Sequence, residues 1–214
     1  MAGSNDPVAY EAWYHTPRGA WIGDIEFSLL LRFLQPGPGQ TLLDVGSGTG
    51  YFSRRFAGSG LRVTGVEPDQ DMIRHARILG NDVEYMEAAA KQLPFESQSF
   101  DFCAAITSLC FVPEPEKALA EMWRVSRHGV VLGLLNQHSL LYLLKHGHGA
   151  YQGARWDTLA TARRWWHHLK PAPKVSIGTA VWLPGRGRLA KRLESLLPAR
   201  LPWGGFLAIG LRKP

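Results

Sequence analysis

The chain has 214 residues, of which 45% are hydrophobic, with a net charge of +6 and two cysteines. That length suits one domain, and the apolar fraction is ample for a core. No apolar run reaches the ~18 residues of a membrane span, and no basic stretch followed by an apolar one marks a secretory leader. Cys103 and Cys110 are too far apart in an extended strand to pair, which fits reduced core thiols of a cytoplasmic protein.

The charge is uneven. Residues 1–150 carry 12 Lys+Arg against 16 Asp+Glu, whereas residues 151–214 carry 12 against 2. The basic end suits an acidic substrate, an anionic membrane surface or a nucleic acid, or is simply a solvated face.

In chain order, residues 1–36 open with an aromatic-rich stretch holding Tyr10, Trp13, Tyr14 and Trp21. Apolar residues at Ile22, Ile25, Leu29, Leu30 and Phe33 then predict a helix over 22–35, ended by Pro36-Gly37-Pro38-Gly39. Strand 41–45 and helix 50–58 follow, then strand 61–66, helix 69–79, strand 83–87 and strand 100–106. Helix 114–126 and strand 129–135 continue the alternation. An insertion over 137–173 is predicted to hold helices near 138–146 and 155–169. The chain then closes with a strand over 174–183, a turn at 184–187, a helix over 188–197 and a strand over 204–211. Alternation with short connections predicts a parallel sheet covered by helices on both faces, with ligand beyond the carboxyl ends of its strands.

Two such ends stand out. Strand 41–45 runs into Asp44-Val45-Gly46-Ser47-Gly48-Thr49-Gly50, and strand 61–66 runs into Glu67. Alternate glycines allow a ligand to lie against bare backbone, and a carboxylate at the second strand's end suits the two hydroxyls of a ribose. A dinucleotide loop carries its third glycine one place later, where this chain has Tyr51.

This Asp-x-Gly-x-Gly-x-Gly loop resembles motif I of the class I S-adenosylmethionine (SAM) methyltransferases. The resemblance extends through Val63-Thr64-Gly65-Val66-Glu67-Pro68-Asp69, Leu93-Pro94-Phe95 to Phe100-Asp101, and the helix Pro115 to Val125. It covers roughly Leu42 to Leu135 and looks most like the small-molecule enzymes that include those of quinone biosynthesis.

The resemblance implies an α/β, Rossmann-like, doubly wound seven-stranded sheet, mostly parallel with an antiparallel C-terminal hairpin, in a single domain spanning 1–214. It implies SAM as methyl donor and S-adenosylhomocysteine as product. Gly46 and Gly48 would face the methionine and ribose portions by backbone contact, flanked by Ser47, Thr49 and Tyr51. Asp44 would orient the loop or reach the ligand's amino group through water. Glu67 would grip the ribose, with Pro68 and Met72 walling the adenine. The family often has an acidic residue after the third strand; here that place is Ala89, so backbone groups of Ala89 and Ala90 would read the adenine, with Glu87 two residues earlier. Thr107 would lie near the reacting methyl.

The N-terminal aromatics either pack a leading helix or form a lid, in which Tyr14 or Arg18 holds the SAM carboxylate. The insertion, with Tyr142, Tyr151, Trp156, Trp165 and Trp166, either packs on itself or shapes a pocket for an aromatic or lipid-like acceptor. His138 is the leading candidate base, with His15, His146 and His148 behind it. Neither His146-x-His148 nor His167-His168 has a third ligand at a metal-site spacing. A nucleic-acid substrate is the runner-up. Its usual Asn/Asp-Pro-Pro-aromatic run is replaced by Thr107-Ser108-Leu109-Cys110-Phe111, Cys110 follows leucine rather than proline, and no RNA-binding module is added. A SAM- or dinucleotide-binding protein without catalysis is the remaining alternative.

Overall fold

The computed structural model describes residues 6–80, 82–183, 194, 199 and 201–214. Two helices lead, α1 (Pro7–Tyr14) and α2 (Pro17–Leu34). Both begin the same way: an oxygen-bearing side chain before a proline. Asp6 Oδ1 accepts from the Val8 amide at 3.0 Å, and Thr16 Oγ1 accepts from the Gly19 amide at 3.0 Å. Each cap satisfies a helix-end donor, and proline fits the first turn because its missing N–H has no partner there. α2 therefore starts five residues before the apolar spacing predicts. It ends at Gln35, whose φ of 48° is left-handed.

The alternation continues through β1 (Thr41–Val45), α3 (Tyr51–Gly58), β2 (Arg62–Glu67), α4 (Gln70–Leu79), β3 (Val83–Glu87), β4 (Phe100–Ile106), α5 (Pro115–Val125) and β5 (Ser126–Leu135). The insertion holds α6 (Leu140–Lys145) and α7 (Leu159–Trp166), both shorter than predicted. Side-chain caps set their starts: Ser139 Oγ accepts from Tyr142 and Thr158 Oγ1 from Thr161. β6 (Lys174–Ala180) and β7 (Phe206–Arg212) complete the sheet. The predicted turn at 184–187 and most of the predicted helix at 188–197 lie outside the described residues.

The sheet order is β3-β2-β1-β4-β5-β7-β6. All pairs are parallel except those of β7, which runs antiparallel between β5 and β6. This is the mostly parallel seven-stranded sheet with antiparallel C-terminal strands that the sequence implies.

Each strand alternates its apolar residues between two cores. Leu42, Val63, Phe102 and Val131 face α2, α3 and α4, meeting Leu30, Phe56 and Ile73. Leu43, Val66, Cys103 and Leu132 face α5 and α7, meeting Leu119, Met122 and Trp165. The chain runs outward in opposite directions from β1 and β4, so their carboxyl ends diverge and leave a crevice, the usual place for a ligand in such a sheet.

Candidate active site

A cavity of about 870 Å³ opens at that crevice. Its floor is the loop after β1. Gly46 and Gly48 have φ of 73° and 54°, which only glycine adopts without cost. A Cβ on Gly46 would sit 2.4 Å from Cβ of Ser108, so β1 and β4 approach closely there. A Cβ on Gly48 would meet nothing within 4 Å, so that backbone faces open space. Tyr51, at the start of α3, lines the same cavity.

Glu67 ends β2 against this loop. Its Oε2 accepts from the Gly48 amide at 2.9 Å and its Oε1 from the Asp69 amide at 3.2 Å. Burial raises its pKa, while the two amides oppose the rise. Asp44 is buried, and its Oδ2 accepts from Ser53 Oγ at 2.6 Å. Burial pushes its carboxyl up to about 7; the Ser53 bond lowers it and the Glu67 charge raises it. Ser47 Oγ is buried and has no partner among the described residues.

Pro68, Met72, Ala89 and Ala90, expected to enclose an adenine, all line the cavity, as does Thr107 at the end of β4. Thr107 has a left-handed φ of 49°, an uncommon conformation for a β-branched residue and one that is found at ligand sites. Glu87 instead lies exposed outside the cavity, where its Oε2 accepts from Gln70 at 2.7 Å.

α1 and α2 roof the crevice. Tyr14 stacks on Tyr51 with ring centroids 3.7 Å apart, and both line the cavity. Arg18 also lines it, and its Nε is buried without a partner among the described residues. A buried guanidinium N–H left unpaired is costly, so this group is suited to an anionic ligand atom. α1 is fastened by Glu11, whose Oε2 accepts from Thr49 Oγ1 at 2.5 Å and whose Oε1 accepts from Arg54 Nη2 at 2.5 Å. Thr49 is thus turned away from the cavity into a buried clasp, which corrects its expected place beside the ligand.

His138 departs from expectation as well. It is exposed and is absent from the cavity wall. Asn136 causes this: its Nδ2 donates to the carbonyls of Pro202 and Gly204 while its Oδ1 accepts from the His138 amide at 3.1 Å. The turn so made projects the ring outward. His15 and His146 are exposed too, and only His148 reaches the cavity mouth. Among the described residues no group of three or more His, Cys, Asp or Glu is placed to hold a metal ion.

The structure adds residues to the wall that the sequence reading did not place there, Glu26 and Cys110, beside Tyr10 and Tyr151. Glu26 is 8% exposed. Burial, with help from the Glu194 charge, pushes its carboxyl up to about 8 against a lowering effect of Arg55. One signal was available: Glu26 lies four residues after Ile22 and four before Leu30, on the apolar stripe of α2. Polar residues on such a stripe are uncommon.

Comparisons with known proteins agree with this geometry. Residues 43–134 match the family model described as a methyltransferase domain. The chain is 32% identical over 168 residues to an uncharacterised methyltransferase of Mycobacterium tuberculosis, covering 68% of this chain and 65% of that protein. It therefore spans just under two thirds of that relative's length. A SAM-dependent methyltransferase from Thermotoga maritima superposes with a TM-score of 0.68 at 24% identity, covering 97% of this chain and 96% of that one. Phosphoethanolamine N-methyltransferase 2 from Haemonchus contortus, solved with SAM bound, gives a TM-score of 0.68 at 16% identity, over 97% of this chain and 57% of that one.

Proposed function

The chain belongs to the class I SAM-dependent methyltransferase family through its residues 43–134, and from that premise we propose that it moves a methyl group from SAM to a small-molecule acceptor. The observation that carries this reading is the meeting of the Gly46–Gly50 loop with Glu67 in one cavity that continues beneath α1 and the insertion.

SAM supplies a methyl group activated on a positive sulfur, so the chain's task is to bind, align and exclude water. Glu67, held by the Gly48 and Asp69 amides, takes the ribose hydroxyls on the remaining lone pairs of its carboxylate oxygens. Gly46 and Gly48 give backbone access. The unpaired guanidinium N–H of Arg18 takes the SAM carboxylate, with Tyr14 above it. Pro68, Met72 and the backbone of Ala89 and Ala90 enclose the adenine. Asp44 supports the loop through Ser53.

The acceptor side is formed by Tyr10, Cys110, Leu141 and Tyr151. A cavity roofed by helix and insertion favours a small, largely apolar acceptor over a nucleic-acid strand, which needs an open basic groove. The test is calorimetric titration with SAM and S-adenosylhomocysteine, alongside NADH. The reading expects saturable one-to-one binding of both adenosyl compounds. Binding of NADH alone would replace it with a dinucleotide function.

A further inference from the structure

One group in the cavity has no place in the handling of SAM. Glu26 is more than nine-tenths buried, lines the cavity, and makes no hydrogen bond or ion pair among the described residues. We propose that Glu26 binds the nitrogen of the methyl acceptor, and that the acceptor is an amine on an otherwise apolar body. This rests on the methyltransferase reading and names the substrate class for the same site.

The surroundings of Glu26 argue for a cation. Three phenols line the cavity with it: Tyr10 and Tyr14 on α1, and Tyr151 from the insertion. The Tyr10 and Tyr14 hydroxyls lie 3.4 Å apart. Thr107, at the end of β4 beside the glycine loop, lines the same cavity as these phenols and Glu26.

The charged groups nearby do not neutralise Glu26. Arg55 on α3 is committed to Asp24 at 2.7 Å. Arg18, on the same helix as Glu26, acts on Tyr151. Glu194 is a second acid, held by the amides of Val181 and Trp182. An anionic acceptor would meet Glu26 here, with the Glu194 charge behind it. An ammonium would gain a counter-charge and aromatic faces, both of which strengthen in a dry site.

The same carboxylate serves the proton balance. An amine arrives as an ammonium, whose nitrogen has no free lone pair. As the ammonium binds, Glu26 gives its own proton to water; one N–H proton then passes to a carboxylate oxygen of Glu26, leaving a neutral amine with its lone pair free and the carboxyl protonated again. With its carboxyl pushed up to about 8 by burial, Glu26 is closer in proton affinity to an alkylammonium than an ordinary glutamate is.

The test is a titration of the whole chain, saturated with S-adenosylhomocysteine, with hexylamine, 2-phenylethylamine and tryptamine, each beside the alcohol of the same skeleton. At least one amine is expected to bind at least about tenfold more tightly than its alcohol. That preference should fall about tenfold or more in E26Q, with S-adenosylhomocysteine affinity unchanged. Measured at pH 7 in two buffers of different ionisation enthalpy, amine binding should release a proton, and at pH 9.5 it should not. Should E26Q not fold, E26D and the proton count on the natural chain decide. Equal binding of amines and alcohols, no binding of either, or E26Q with undiminished amine affinity would overturn the proposal. Failure of S-adenosylhomocysteine itself to bind would instead remove the methyltransferase reading.

Discussion

At the scale of single residues, the site is set by what each group can do without water. Glu67 spends its two oxygens on the Gly48 and Asp69 amides. Those bonds hold the carboxylate at the loop. Glu67→Ala should weaken SAM binding at least about tenfold, since charge-assisted hydrogen bonds contribute ~1.5–3 kcal/mol; equal affinities in a titration would take Glu67 out of the site. The two floor glycines should separate folding from binding. Gly46→Ala places a Cβ against Ser108 and forces a left-handed alanine, so it should cost about 1–2 kcal/mol or more. Gly48→Ala meets no atom, so it should change the melting temperature less than Gly46→Ala while obstructing the ligand. Calorimetry of both variants, with and without S-adenosylhomocysteine, measures each loss.

Glu26 carries a pH signature of its own. Its carboxyl is pushed up from 4.5 to about 8 in the folded chain. Between those values the folded chain holds a proton that the unfolded chain has released, so this group makes stability fall as pH rises through that window. Glu26→Gln removes the dependence. The melting temperature of the variant should therefore gain on the natural chain from pH 5 to 8 and then level off. A difference that stays flat with pH would contradict the burial argument. None of this was legible in the sequence, where Glu26 passes as one carboxylate in an amphipathic helix. Its position on the apolar stripe is the local sign, and its burial in the cavity beneath α1 and the insertion is a tertiary property.

Among the elements, α1 is where binding and architecture meet. It is eight residues long, too short to persist alone in water. The clasp of Glu11 with Thr49 and Arg54 fastens it to the glycine loop, and Tyr14 stacks on Tyr51. Glu11→Ala leaves Arg54, among the described residues, with the Thr49 carbonyl at 2.6 Å. The expected cost is about 1–3 kcal/mol, with faster hydrogen exchange in α1 than in the strands; unaltered exchange in α1 would show that the clasp is not what holds it. The strands and central helices were readable because their apolar spacing survives in folded form. The starts of α1 and α2 were missed because the apolar spacing begins at Ile22 while Asp6-Pro7 and Thr16-Pro17 carry the start signals. His138 was misplaced because the Asn136 turn, built on distant carbonyls at 202 and 204, has no local signature.

Across the whole molecule, the strand order fixes the function's location. β1 and β4 are neighbours whose continuations diverge, so the crevice exists before any side chain is chosen. The parallel part of the sheet could be expected from alternation alone. The insertion of β7 between β5 and β6 could not, since pairing across such distances leaves no periodic trace; the family resemblance implied only an antiparallel C-terminal hairpin. The joining of the insertion to the N-terminal helices around one cavity is likewise a tertiary property, contributed by Tyr151 and Leu141 on one side and Tyr10 and Tyr14 on the other. Titration of the natural chain with S-adenosylhomocysteine tests the central claim most directly. The account predicts saturable, one-to-one binding that Glu67→Ala impairs at least about tenfold, whereas a chain that takes up no adenosyl compound, or takes up NADH in its place, would contradict it.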